Sequence, residues 1–152
     1  MDNLHGFSSR GPREDGGFKP NIGAPGSAIS TIPTWQPGGP VPGTYTLPPG
    51  YAMFNGTSMA SPQAAGAAAL LIGAAQQSGL KVHPTQLRQA INSSADFDGL
   101  NGELDRYHAY EIGNGLINVG AAWNLLKTNI KTVEITSSVP VNTVLSGFLK
   151  TP

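Results

Sequence analysis

The sequence predicts an α/β fold, and three observations carry that expectation. Glycine and proline, 20 and 13 of the 152 residues, make up roughly a fifth of the chain against about one residue in eight on average, and they crowd its first third. Short apolar pieces lie between those turns, which is the pattern of brief buried strands. Three helical patterns follow, and 39% hydrophobic residues supply the apolar surface for a core, which excludes a chain disordered throughout.

Turns at Arg10 Gly11 Pro12, Asp15 Gly16 Gly17, Ala24 Pro25 Gly26 and Pro37 Gly38 Gly39 Pro40 bound strand candidates at residues 22–24 and 28–32. Residues 33–50 form the longest loop, a length at which loops are functional, mobile or plain surface insertions. A third strand-like piece covers residues 51–54. Residues 61–77 are rich in Ala and carry no polar side chain between Ala64 and Ala75, so the spacing predicts a central helix buried nearly all round, close to a sheet. Pro84 opens a helix over 84–95 with Leu87, Ala90 and Ile91 on one face. Residues 96–108 read as a polar loop. Asn118 caps a helix over 119–127, where Val119, Ala122, Trp123 and Leu126 share a face. Past residue 129 the pattern alternates over 131–136, and a second apolar stretch covers 141–149. These predict a linker and the beginning of a following β domain over 130–152, separate from residues 1–129.

Nine basic and nine acidic residues balance to zero formal charge with no Lys/Arg cluster, so a nucleic-acid partner is not expected. The absence of Cys excludes a disulfide framework, a thiolate metal site and a cysteine nucleophile. No segment approaches 18 unbroken apolar residues, so no membrane partner is expected, and the polar start lacks the regions of a signal peptide. Asp96, Asp98, Glu103 and Asp105 lack the ligand spacing and glycine of a calcium loop, so no metal is expected there. Asn55 Gly56 Thr57 and Asn92 Ser93 Ser94 match glycosylation sequons, which short sequences also do by chance.

Serine chemistry stays open, and one segment favours it: Asn55 Gly56 Thr57 Ser58 Met59 Ala60 Ser61 Pro62, between a strand-like piece and a helix. A helix N-terminus leaves backbone N–H groups unpaired and carries partial positive charge, so it can stabilise an oxyanion beside a serine hydroxyl. Gly56 lets a substrate carbonyl approach the backbone. The plainer alternative is that Ser58 or Ser61 only caps the helix. Cap rules alone place Ser61 at the cap and Pro62 at the first helical position.

The string Gly56 Thr57 Ser58 Met59 Ala60 Ser61 Pro62, followed by Ala65 Gly66 Ala67 Ala68 Ala69 Leu70, resembles the nucleophile motif of the subtilisin-like serine proteases, the subtilases of peptidase family S8. It does not match the esterase elbow, which needs a glycine two positions after the serine. Phe7 Ser8 Ser9 Arg10 Gly11 Pro12, Lys19 Pro20 Asn21 Ile22 Gly23 Ala24 Pro25 Gly26 and Gly113 Asn114 Gly115 Leu116 Ile117 Asn118 Val119 Gly120 Ala121 Ala122 resemble further subtilase segments. The likeness covers residues 7–127. Arg10 Gly11 Pro12 and Ile32 Pro33 Thr34 Trp35 lean toward the pyrolysin and tripeptidyl-peptidase-like branch.

The resemblance implies a mainly parallel sheet flanked by helices, with residues 1–129 as the C-terminal part of a subtilase catalytic domain. It implies that Ser58 is the catalytic nucleophile and that the helix begins nearer Ser58 than Ser61. Asn55, Gly56 and Thr57 would lie in the oxyanion and substrate vicinity, Phe54 beside the leaving group of a peptide or protein substrate, and Met59 against the nucleophile. Gln63 departs from the histidine common at that position. No cofactor is implied; calcium is compatible with the full-length parent at a site not located in this sequence. A secreted, extracellular parent is the expected setting.

A Ser-His-Asp protease also needs a base and a carboxylate to orient it. The family's Asp-Thr/Ser-Gly and His-Gly-Thr motifs and its oxyanion Asn, all N-terminal to the serine, are not in this sequence. His5 Gly6 Phe7 imitates the histidine motif for two residues only and reads as a loop histidine; His83 reads as a helix start; His108 has no motif around it. The expectation is therefore a catalytic-domain fragment, nearly inactive alone, whose partner is the missing N-terminal half and which self-associates through an unpaired sheet edge. The alternative is a non-catalytic binding module or pseudoenzyme that retains the serine segment as scaffold.

Overall fold

A computed structural model describes residues 4–97 and 107–131. The β pieces expected over 131–136 and 141–149, and with them the 130–152 unit, fall outside the described residues apart from residues 130 and 131, as do Asp98, Glu103 and Asp105.

The chain folds as an α/β structure. Strand β1 (Ser27–Thr31) pairs antiparallel with β2 (Tyr51–Asn55), Ser27 opposite Asn55 and Thr31 opposite Tyr51. This two-stranded ladder differs from the mainly parallel sheet that the resemblance implies. Parallel pairing among the described residues is confined to an isolated bridge, Gly23 with Leu116, whose other side bridges Asp96 antiparallel. Residues 22–24, expected as a strand, contribute only that bridge, because Gly23 donates to Gly115 and accepts from Ile117 while Pro25 has no N–H to continue a ladder. Gly115 makes the crossing feasible: its φ is +114°, and a Cβ there would lie 2.5 Å from Asp96 backbone.

Between the strands, residues 32–50 form a lobe stitched by its own backbone. Ile32 N–H donates to Gly50, Gly39 to Tyr51 and Leu47 to Gly39, while Pro40 bridges Thr46. Leu47 is buried inside it, and Gly38 passes so close beneath that a Cβ would stand 1.6 Å from the Leu47 carbonyl oxygen. The long loop is thus a folded projection on the hairpin.

Helix α1 (Thr57–Gln77) begins five residues before the cap rules placed it, and Pro62 lies within it. Pro62 removes only the bond that its missing N–H would have made to the Ser58 carbonyl, one turn back. The expectation of a helix buried all round is corrected: only Ala67, Leu71 and Ala75 are buried, while Leu70 is 70% exposed and Ile72 44%. The described residues pack on one stripe of α1 and lay no layer over the other.

Helix α2 (Pro84–Ser93) ends two residues sooner than expected and opens at Pro84 with His83 at its start, as expected; a capping box completes it, Thr85 N–H donating to His83 Nδ1 and His83 N–H to the Gln86 side chain. The short α3 (Ala109–Ile112) was not foreseen; His108 N–H donates to Glu111 Oε2 at 3.0 Å, so His108 stands at a helix start. Helix α4 (Val119–Lys127) has its predicted cap, with Ala121 N–H donating to Asn118 Oδ1 at 2.9 Å. The core joins Leu71 of α1, Ala90 and Ile91 of α2, and Ala122 and Leu126 of α4. Fully buried Ala90 and Ala122 let these helices approach closely. Glu111, also buried, pairs with Arg10 Nε at 3.2 Å, fixing the Arg10 Gly11 Pro12 turn beside α3.

Candidate functional site

The hairpin delivers the serine segment to the start of α1. At the end of β2, Asn55 Oδ1 accepts from Ser27 Oγ at 2.6 Å, and Gly56 N–H donates to the Gly26 carbonyl at 2.8 Å. Two bonds from the adjacent residues Gly26 and Ser27 therefore fix the residue pair ahead of the helix. The sequence alone gave no sign of either, since Ser27 and Asn55 are 28 positions apart and neither bond follows a local pattern.

Gly56 is the N-cap of α1 and makes no side-chain cap. Its φ of 169° is extended backbone open to any residue, and a Cβ there would meet only ordinary contacts, Met59 Sδ at 3.6 Å and Ser58 N at 3.7 Å. What glycine contributes at this position is bare backbone. Met59 and Ala60 N–H groups both turn onto the Gly56 carbonyl. Thr57 and Ser58, the first two helical residues, stand where helix geometry provides no carbonyl four residues back. Ser58 thus belongs to the helix interior side of the cap, and neither it nor Ser61 caps α1. The cap-only reading of these serines fails.

Ser58 is exposed, as are Thr57, Phe54 and Asn55, while Met59 is half-buried against the Gly56 turn. The Ser58 hydroxyl makes no hydrogen bond among the described residues. Exposure, the unpaired start of a long helix and a hydroxyl free of structural duty coincide at one residue, an arrangement suited to nucleophilic chemistry with oxyanion stabilisation.

Beside this turn lies an open cavity of about 380 Å³ whose walls include His5, Ser8, Pro25, Gly56, Thr57 and Ala60. His5, in a loop as expected, stacks on Phe7 with ring centroids 4.8 Å apart. His83 and His108 are tied to the starts of α2 and α3, and neither lines that cavity. Gln63 is exposed on α1. Among the described residues no group of three His, Asp or Glu side chains could hold a metal ion, and no helix is long and apolar enough to cross a membrane.

Comparison with known proteins gives this geometry a family. The profile of the Subtilase family of peptidases matches residues 1–120. The chain is 38% identical over 125 residues to pyrolysin of Pyrococcus furiosus, covering 80% of this chain and 8% of that protein. It is 39% identical over 122 residues to tripeptidyl-peptidase 2 of Arabidopsis thaliana, again 80% of this chain and 8% of the relative. The minor extracellular protease Vpr of Bacillus subtilis is 39% identical over 114 residues, 73% of this chain and 13% of that protein. The chain therefore spans less than a tenth of the first two relatives' length. With the family profile matching most of its residues, and the serine motif standing at the strand-to-helix turn, the chain belongs to the subtilase family of serine proteases.

Proposed function

We propose that residues 1–129 are the C-terminal part of a subtilisin-like catalytic domain and that Ser58 is its nucleophile. The observation that carries this is Ser58 itself: exposed, without a hydrogen-bonded partner among the described residues, at the uncapped N-terminus of α1. In the complete domain a histidine and a carboxylate from outside this chain activate the hydroxyl. The Ser58 proton passes to the imidazole as Oγ bonds to the scissile carbonyl carbon, and the Ser58 N–H with one outside amide holds the developing oxyanion. The C–N bond then breaks, the imidazole returns its proton to the leaving amine, and water hydrolyses the acyl-enzyme. Phe54 lies beside the leaving group, and Asn55, Gly56, Thr57 and Met59 shape the turn around the attack.

Two features support the larger domain. Leu70 and Ile72 are apolar side chains on the open face of α1, as a helix intended for a further sheet layer would present them. The relatives matched over the same stretch are many times longer. The parallel sheet, the peptide or protein substrate, an extracellular setting like that in the names of Vpr and its kin, and a following β unit from residue 130 all belong to that parent. Alone, without the histidine and carboxylate motifs of that parent, the chain is nearly inactive and self-associates through its open apolar faces. The parent's S1 pocket is built largely by segments outside this chain.

A fluorophosphonate probe on the longer protein, carrying the Asp and His motifs, tests the assignment. The expected result is stoichiometric labelling that disappears in Ser58→Ala and is negligible on residues 1–152 alone. Labelling that persists in Ser58→Ala removes Ser58 from the role, and an unlabelled longer protein favours the non-catalytic module.

A further inference from the structure

Asn55 and Gly56, immediately ahead of α1, form an Asn-Gly pair, as do Asn114 and Gly115 and, outside the described residues, Asn101 and Gly102. An asparagine before glycine is chemically labile, because glycine lacks the Cβ that elsewhere shields the following nitrogen from the side-chain amide. The two described pairs differ in what surrounds them. Asn114 Nδ2 donates to the Asn21 carbonyl at 3.0 Å and Gly115 N–H to Ile112 at 3.2 Å, while Gly115 is buried where a Cβ would lie 2.5 Å from Asp96 backbone. A ring has no room to close there.

Asn55 is exposed at the last rung of a two-stranded ladder, and a Cβ on Gly56 would meet only ordinary contacts. The space for ring closure exists, and two hydrogen bonds oppose it. Gly56 N–H donates to the Gly26 carbonyl at 2.8 Å, which keeps the proton on the nitrogen that must attack. Ser27 Oγ donates to Asn55 Oδ1 at 2.6 Å, which holds the amide that nitrogen must reach. Both bonds border the open cavity of about 380 Å³, whose walls include Gly26, Ser27 and Gly56, and an end rung of a two-stranded ladder opens at low cost.

We infer that Asn55 is a site of spontaneous covalent modification, losing its side-chain amide as ammonia when the Ser27 and Gly26 bonds open together. The Gly56 nitrogen gives up its proton and bonds to Asn55 Cγ; the Cγ–Nδ2 bond breaks, and ammonia leaves with that proton. Water then opens the cyclic imide at one of its two carbonyls. Attack on the side-chain carbonyl gives aspartate, and attack on the main-chain carbonyl gives isoaspartate, whose backbone is longer by a methylene. Residues 20–80 otherwise contain no Asp, Glu, Lys, Arg or His, so the product places a lone carboxylate, ionised at neutral pH, three residues ahead of Ser58. An anion at the positive end of α1 competes with the oxyanion for the same field, and the added methylene displaces the serine. This effect on reactivity rests on the proposed role of Ser58; the modification itself does not.

The test incubates the longer protein as Ser58→Ala, which removes self-digestion, in mildly alkaline heavy-oxygen water, and maps the label peptide by peptide. Residue 55 should take up the label, in proportion to hydroxide, well before residue 114. Ser27→Ala should speed uptake at residue 55 about two- to threefold, the factor for an exposed hydrogen bond, and leave residue 114 unchanged. Residue 114 converting first, or a rate at 55 indifferent to Ser27→Ala, overturns the site. So does a Ser27→Ala acceleration shared equally by residue 114 with a lowered Tm, which assigns it to general unfolding. In wild-type protein, the isoaspartyl form separated by ion exchange should react with the fluorophosphonate about a hundredfold more slowly, the cost of a small misplacement at a reacting centre. Full reactivity of that form overturns the coupling to Ser58. Absent labelling of untreated wild-type protein overturns the role of Ser58 itself, while the heavy-oxygen map still decides the modification.

Discussion

Ser27 Oγ donates to Asn55 Oδ1 at 2.6 Å across the last rung of the β1–β2 ladder, one residue before the turn that carries Ser58. With Gly56 N–H bound to Gly26, the residue just before β1, the hairpin acts as the clamp that fixes where α1 begins.

Removing that side-chain bond should loosen the turn without unfolding the chain. Ser27→Ala is expected to cost about 0.5 kcal/mol, the low end for a hydrogen bond because the pair is exposed. Amide exchange at Gly56 should rise about two- to threefold while exchange in α2 and α4 stays unchanged. Unaltered exchange at Gly56 would show that the backbone bonds hold the turn unaided.

Leu70 and Leu71, adjacent in sequence, separate the chain alone from the proposed larger domain. Leu71 is 2% exposed and Leu70 70%. In residues 1–152, Leu71→Ala should cost about 2–5 kcal/mol and Leu70→Ala less than about 0.5 kcal/mol, by denaturant unfolding. In the longer protein, Leu70→Ala should become as costly as Leu71→Ala. A Leu70 that stays neutral there means no layer covers that face.

Asp15 gives a pH-dependent signal of known sign. Its hydrogen bond from the Arg13 guanidinium, and a second from Gly17 N–H, hold its carboxyl below the ordinary carboxylate range. A folded-state value depressed in this way contributes stability above the unfolded value, and that contribution is lost as pH falls through the folded value. An NMR titration should place Asp15 below an ordinary Asp, and Arg13→Ala should move it upward but not wholly back, since Gly17 remains.

The sequence was legible where local chemistry decides structure. Asn118 and His83 cap their helices because a side-chain acceptor two or three residues ahead of free N–H groups is a short-range relation, written in neighbouring positions. The α1 start was misplaced by the same rules: Ser61 and Pro62 are good cap and first-turn residues, yet the Gly26 carbonyl holds Gly56 and starts the helix earlier. Such a tertiary bond leaves no trace in local spacing. Helix α3 escaped because four residues make too short a periodic pattern, though the three-residue offset of His108 and Glu111 is the box that marks it. At the site, the serine string identified the family, while the supporting Ser27 and Gly26 could be found only from the fold.

The close passage of Gly38 beneath Leu47 divides the lobe into a waist and a tip. Of the bonds around the ladder, Ile32 on Gly50 lies on the hairpin side of that waist and Gly39 on Tyr51 at the waist itself. Residues 41–45 close on themselves through Val41 and Tyr45. The tip is therefore mechanically insulated from the serine turn: a tag or tether grafted into it would lengthen the projection without transmitting displacement to Ser58, whereas a side chain at Gly38 itself would pry the hairpin apart from within.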